Sequence, residues 1–104
     1  MKIALIVFDT FEDYDLLASR LDELNVTEVI SGTSNGFKML EKYHSTRQDV
    51  IVSIAHGQKL ERAYNAIDMT DNILVYTHKK GNKTKRSIAY AKKKNKILNI
   101  YEIE

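Results

Sequence analysis

A chain of 104 residues, 43% hydrophobic and 29% charged, is sized for a single hydrophobic core, so we read residues 1–104 as one domain. It has no cysteine, which excludes disulfides and thiolate metal sites, and no apolar stretch approaching the roughly 20 residues that span a bilayer. The net charge of +2 conceals a segregation: nine Lys or Arg and no acid lie between Lys79 and Lys96, while the rest holds seven basic and fourteen acidic residues.

Met1–Phe8 is a short apolar run met at once by Asp9, Glu12 and Asp13, unlike a signal peptide, so a cytoplasmic protein with no membrane partner is expected. Within that run, Lys2–Phe8 is nearly continuously apolar, as in a strand buried on both faces. Tyr14, Leu17, Ala18, Leu21 and Leu24 then form the stripe of an amphipathic helix. Thr27–Ile30 is a second strand, closed by Ser31 and Gly32. The second helix is predicted from about Asn35 to Arg47, with Phe37, Leu40, Tyr43 and His44 on one side. Val50–Ala55 is the third strand, and Leu60, Ala63, Tyr64 and Ile67 mark the third helix. Asn72–Thr77 is the fourth strand; Thr84, Ser87, Ile88 and Ala91 stripe the fourth helix. Ile97–Ile103 mixes apolar with polar residues, as an edge strand does.

Strand and helix alternate without linker or repeat, and each crossover is long enough for a right-handed parallel unit. The expected fold is α/β: a single Rossmann-like, three-layer domain with a five-stranded parallel sheet, order 3-2-1-4-5, and helices on both faces. In such sheets ligands bind at the strands' C-terminal edge where the order reverses, here between Asp9–Phe11 and His78–Lys83.

Two loops offer phosphate-binding chemistry. Ser31, Gly32, Thr33, Ser34, Asn35 and Gly36 bring two glycines, hydroxyls and a helix N-terminus together. Lys79–Thr84 is a second glycine-containing strand-to-helix turn, now cationic, in which Gly81, Thr84 and Lys85 are candidates. Thr84 reads equally well as a helix N-cap. Asp9 and Thr10 follow the first strand, and Asp9 is the carboxylate that topology puts at the cleft. Arg62 on the third helix is either a cleft cation or a solvated surface residue. His44, His56 and His78 are too scattered for a zinc site, so no metal is expected; His56, beside Gly57, could line the cleft.

In chain order these loops resemble the small members of the SLOG superfamily, Rossmann-like nucleotide-binding domains that include the LONELY GUY phosphoribohydrolases, YpsA-like proteins and sensor domains of bacterial immunity. The resemblance covers nearly the whole chain. Phe8-Asp9-Thr10-Phe11 stands at the family's G-S-R-like turn without its glycine. Ser31, Gly32 and Gly36 match the S-G-G-A-x-G-A-D type of turn, with Phe37 and Lys38 replacing its small residue and acid. Arg62 matches the third-helix arginine, with Ala66 in place of the methionine that follows. Ala66–Tyr76 is similar to the M-A-D-x-x-I-A-F approach to the fourth strand. Gly81, Thr84, Ile88 and Ala91 meet G-x-G-T-x-x-x-I-x-x-A, with Lys83 replacing the second glycine.

In the phosphoribohydrolases the motif ends in an essential glutamate, and Ser87 occupies that position here. A hydroxyl neither acts as a carboxylate base nor stabilises a ribosyl cation by charge. The resemblance therefore implies non-catalytic binding, for sensing or sequestration, of a nucleotide-derived, phosphate-bearing small molecule such as an ADP-ribose-type or cyclic nucleotide messenger. It needs no cofactor. The alternatives are a nucleotide N-glycosidase or phosphoribohydrolase using Asp9 or another carboxylate, and a nucleic-acid- or protein-binding module using the basic 79–96 face. A homodimer through the helix bearing Phe37, Leu40 and Tyr43 is also expected.

Overall fold

The structure, a computed structural model, describes residues 1–79 and 83–103. Its elements are β1 (Lys2–Val7), α1 (Tyr14–Leu24), β2 (Glu28–Ser31), α2 (Ser34–Thr46), β3 (Ile51–Ile54), α3 (Leu60–Asp68), β4 (Ile73–His78), α4 (Lys83–Lys93) and β5 (Ile97–Ile103). The five strands form one parallel sheet in the order β3-β2-β1-β4-β5, as the apolar pattern predicts.

β1 is central because both of its faces are apolar. Ile3, Leu5 and Val7 point to one layer, where Leu17 and Leu21 of α1 and Leu40 and Tyr43 of α2 cover them. Ala4 and Ile6 point to the other, beneath Ala63, Ala66 and Ile67 of α3 and Ala91 of α4. β4 is equally buried, whereas the edge strands β3 and β5 are only partly covered.

Local chemistry ends the helices where the sheet needs them to end. Asp13 caps α1 by accepting from the Leu16 amide (3.1 Å), and Asn25 closes it in the left-handed conformation (φ 52°). A short side chain that hydrogen-bonds locally tolerates that backbone best after glycine. Of the helix on which a dimer was expected, Leu40 and Tyr43 are buried in the protein's own core, while Phe37 is only partly covered.

Candidate functional site

A cleft of about 950 Å³ opens at the C-terminal edge of the sheet. It is bounded by the end of β1, the first turn of α2, the loop into α3 and the start of α4, which is where crossing connections leave a crevice in this topology.

The β2–α2 turn is built for close packing. Ser31 is buried; its Oγ donates to the Thr33 carbonyl (2.6 Å) and accepts from the Thr33 amide (3.1 Å). Thr33 is the extended N-cap of α2 but makes no side-chain cap, and its Oγ1 is buried without a partner. The first-turn amides of Ser34, Asn35 and Gly36 have no acceptor within the helix, and their partial positive charge lies at the cleft wall.

The two glycines of Ser31–Gly36 have a packing role, and neither has a positive φ. Among the described glycines only Gly57 has a positive φ, 104°. A Cβ on Gly32 would lie 2.9 Å from the Ala63 Cα, so this glycine lets α3 approach the end of β2. Gly36 is not in the loop; it is buried in the first turn of α2, where a Cβ would lie 2.7 Å from both Ser31 Oγ and Thr33 Oγ1. A side chain there would strike the turn itself before it reached any ligand. Gly57 is the residue needing left-handed freedom, and with Lys59 (φ 52°) it shapes the loop into α3.

Arg62 reaches across the cleft floor. Its Nε donates to the Gly57 carbonyl (3.1 Å) and its Nη1 to Ser34 Oγ (2.6 Å), tying the loop into α3 to the first turn of α2. No carboxylate pairs with it among the described residues, and its Nη2 has no partner there. Asn35 Nδ2 donates to the Phe8 carbonyl (2.7 Å), fixing the end of β1 against the same turn.

The cleft thus brings together Asp9, Gly32, Thr33, Ser34, Asn35, Arg62 and Thr84 of the predicted set. Ser31 and Gly36 lie beneath it as support, Thr10 and Lys85 are exposed outside its lining, and Gly81 lies outside the described residues. Thr84 is no cap: it is buried inside α4, hydrogen-bonded to the Thr77 hydroxyl. His56 is exposed outside the lining, its carbonyl accepting from Asn65 Nδ2 (2.9 Å).

Sequence reasoning missed Lys38, Lys59 and Arg86 as lining residues. Lys38 follows Ser34 by four residues, the spacing that puts both on one side of α2, and this signal was available. With Arg62 they give the described lining four cations against one carboxylate, Asp9. Ser87 also lines it, almost wholly buried. Among the described residues no group of His, Cys, Asp and Glu could hold a metal ion, and no helix is long and apolar enough to cross a membrane. No family model, curated protein or solved structure matches the chain.

Proposed function

We propose that the cleft binds a nucleotide-derived, phosphate-bearing small molecule without turning it over. The observation that carries this reading is Arg62, held by Gly57 and Ser34 with its Nη2 unpartnered, beside the free amides of the α2 N-terminus. A preorganised guanidinium next to helix amides suits a phosphoryl group, because charge-assisted and backbone hydrogen bonds converge on its oxygens. Lys38, Lys59 and Arg86 raise the anion preference of the cleft as a whole. Its volume, about 950 Å³, suits a nucleotide better than a bare inorganic ion.

Binding without turnover follows from the acids. Asp9 is the one carboxylate among the described lining residues, and Ser87 stands where the SLOG-like pattern would supply a glutamate. Missing general acid–base help costs about 10²–10⁴ in rate.

A thermal-shift screen of nucleoside mono- and diphosphates, ADP-ribose-type compounds and cyclic nucleotides tests the reading. At least one phosphate-bearing compound should raise the melting temperature, its dephosphorylated counterpart should not, and Arg62→Ala should weaken binding at least tenfold. No shift across the panel, or equal binding by Arg62→Ala, overturns it.

A further inference from the structure

The exposed face of α4 shares Arg86 with the cleft lining, while Lys85, Lys92 and Lys93 lie outside it. α4 packs on the sheet through Thr84, Ser87, Ile88 and Ala91. Opposite them, Ala89 is exposed, and the four residues three and four positions away from it are Lys85, Arg86, Lys92 and Lys93. On a helix those are its surface neighbours. A small residue is therefore ringed by four cations, all exposed and none with an ion pair among the described residues.

The neighbouring cations behave differently. Lys94 Nζ donates to Asp68 (2.6 Å) and Lys96 Nζ to the Ile67 carbonyl (3.2 Å), so both have structural work at the α3 boundary. Lys85 and Arg86 lie in the first turn of α4, which has no acid, and there positive charge opposes the helix dipole. The helix would be more stable without them, and no compensating contact occurs among the described residues.

We propose that this face of α4 docks on the phosphate backbone of B-form duplex DNA without reading sequence. Lys85 with Lys92, and Arg86 with Lys93, form two rows separated by roughly 100° around the helix, with Ala89 between them. Within each row the cations are roughly 10 Å apart along the axis. Two cationic rows flanking a low ridge fit the phosphates on either side of a major groove about 12 Å wide. The deep, narrow major groove of A-form RNA does not admit such a ridge.

Two other polyanions fit less well. Single strands are held by exposed aromatic platforms, but Tyr90 of α4 is stacked on Tyr64 (4.3 Å between ring centroids) and donates to Asp68 (2.9 Å). A helix lying on an anionic membrane inserts large apolar side chains; the exposed ones, Met1, Leu16, Ile51 and Met69, are all off α4. Charge without stacking or insertion leaves a duplex backbone as the complement.

The test is fluorescence anisotropy with a labelled 20-bp duplex DNA, from 50 to 200 mM salt. Four phosphate contacts predict a log–log salt slope near −3.6, a loss of affinity of roughly 10² across that range. Lys92→Gln/Lys93→Gln lies outside the cleft lining and should keep the fold by circular dichroism. It should weaken binding at 50 mM at least tenfold and flatten the slope by about 1.8, while Lys92→Arg/Lys93→Arg retains binding. Absence of duplex binding at 50 mM overturns the proposal, as does a slope unchanged by the glutamine pair. So does tighter binding to single-stranded DNA of equal phosphate count, to duplex RNA, or to phosphatidylserine vesicles. None of these outcomes bears on the cleft, whose ligand is tested through Arg62.

Discussion

The two helical layers cover the same sheet in different ways. On the α1/α2 side the contacts are large: Phe11, Leu17, Leu21, Leu40, Tyr43 and Tyr76 fill the space, with Phe11 stacked on Tyr76 (4.8 Å) and Tyr76 on Tyr101 (5.2 Å). On the α3/α4 side alanines recur: Ala55, Ala63, Ala66 and Ala91 stand among Ile67, Ile73 and Val75 and let the helices ride close to the strands. Large side chains bury more apolar area, so the first layer contributes more of the stability. Small ones set distance, and it is the second layer that brings Ala63 against Gly32 and Arg62 against Ser34. The large-residue layer contributes more of the burial, and the close approach of α3 sets Arg62 against the first turn of α2.

Each helix pair is also clasped by an aspartate, a tyrosine and a cation. Asp22 of α1 accepts from Tyr43 (2.7 Å) and from Arg47 through Nε and Nη2 (2.5 Å each). Asp68 of α3 accepts from Tyr90 (2.9 Å) and Lys94 (2.6 Å) of the region of α4 and its end. The clasps differ in burial: Tyr43 is enclosed, and its hydroxyl is pushed well above the usual phenol range, by burial first and then by its bond to Asp22. Tyr90 is half-buried.

The largest expected effect comes from emptying the large-residue layer. Leu40→Ala should cost about 2–5 kcal/mol by denaturant unfolding, through lost burial and the cavity left behind. Overfilling the small-residue layer should cost less stability and more function. Ala66→Leu, at a fully buried position, should lose roughly 1–3 kcal/mol and, by lifting α3, weaken ligand binding further than Leu40→Ala does. If Leu40→Ala impaired binding more at matched folded fraction, the division of labour between the layers would be wrong.

Smaller effects separate the clasps. Tyr43→Phe should cost about 1 kcal/mol, the usual net value of one hydrogen bond. Tyr90→Phe, nearer the surface, should stay within about 0.5 kcal/mol. Smallest is the acid response. The Arg47 hydrogen bonds, then that of Tyr43, hold the Asp22 carboxyl below its usual 3.8; the Lys94 hydrogen bond does the same for Asp68. Their contribution is complete above the unfolded value and is lost as pH falls through the lowered folded one. Asp22→Asn should therefore flatten the stability–pH curve below about pH 4 and leave its slope at pH 6–8 unchanged.

The strand order was legible because it is written in hydrophobicity. The continuous apolar runs of β1 and β4 require a central place, and the mixed run of β5 tolerates an edge. The cleft's position follows from that order. The purpose of its parts was less legible. Gly32 and Gly36 look alike in sequence whether or not a neighbouring helix needs them, and only the proximity of Ala63 and of Ser31 Oγ reveals their packing role. Lys59 reaches the cleft because Gly57 turns the chain, and the alternation of apolar residues carries no trace of that. The expected dimer helix is a related case: a stripe of Phe37, Leu40 and Tyr43 reads the same whether it meets a partner or its own sheet, and here Leu40 and Tyr43 meet the sheet.

The claim that the cleft binds and does not cleave is tested most directly by following a bound ligand's fate. The protein is incubated with its best phosphate-bearing ligand from the thermal-shift panel, then denatured, and the released compounds are separated by chromatography. The account predicts close to one equivalent of intact ligand per chain and no free base. Free base at many turnovers per chain, lost in Asp9→Asn, would contradict it and identify a hydrolase.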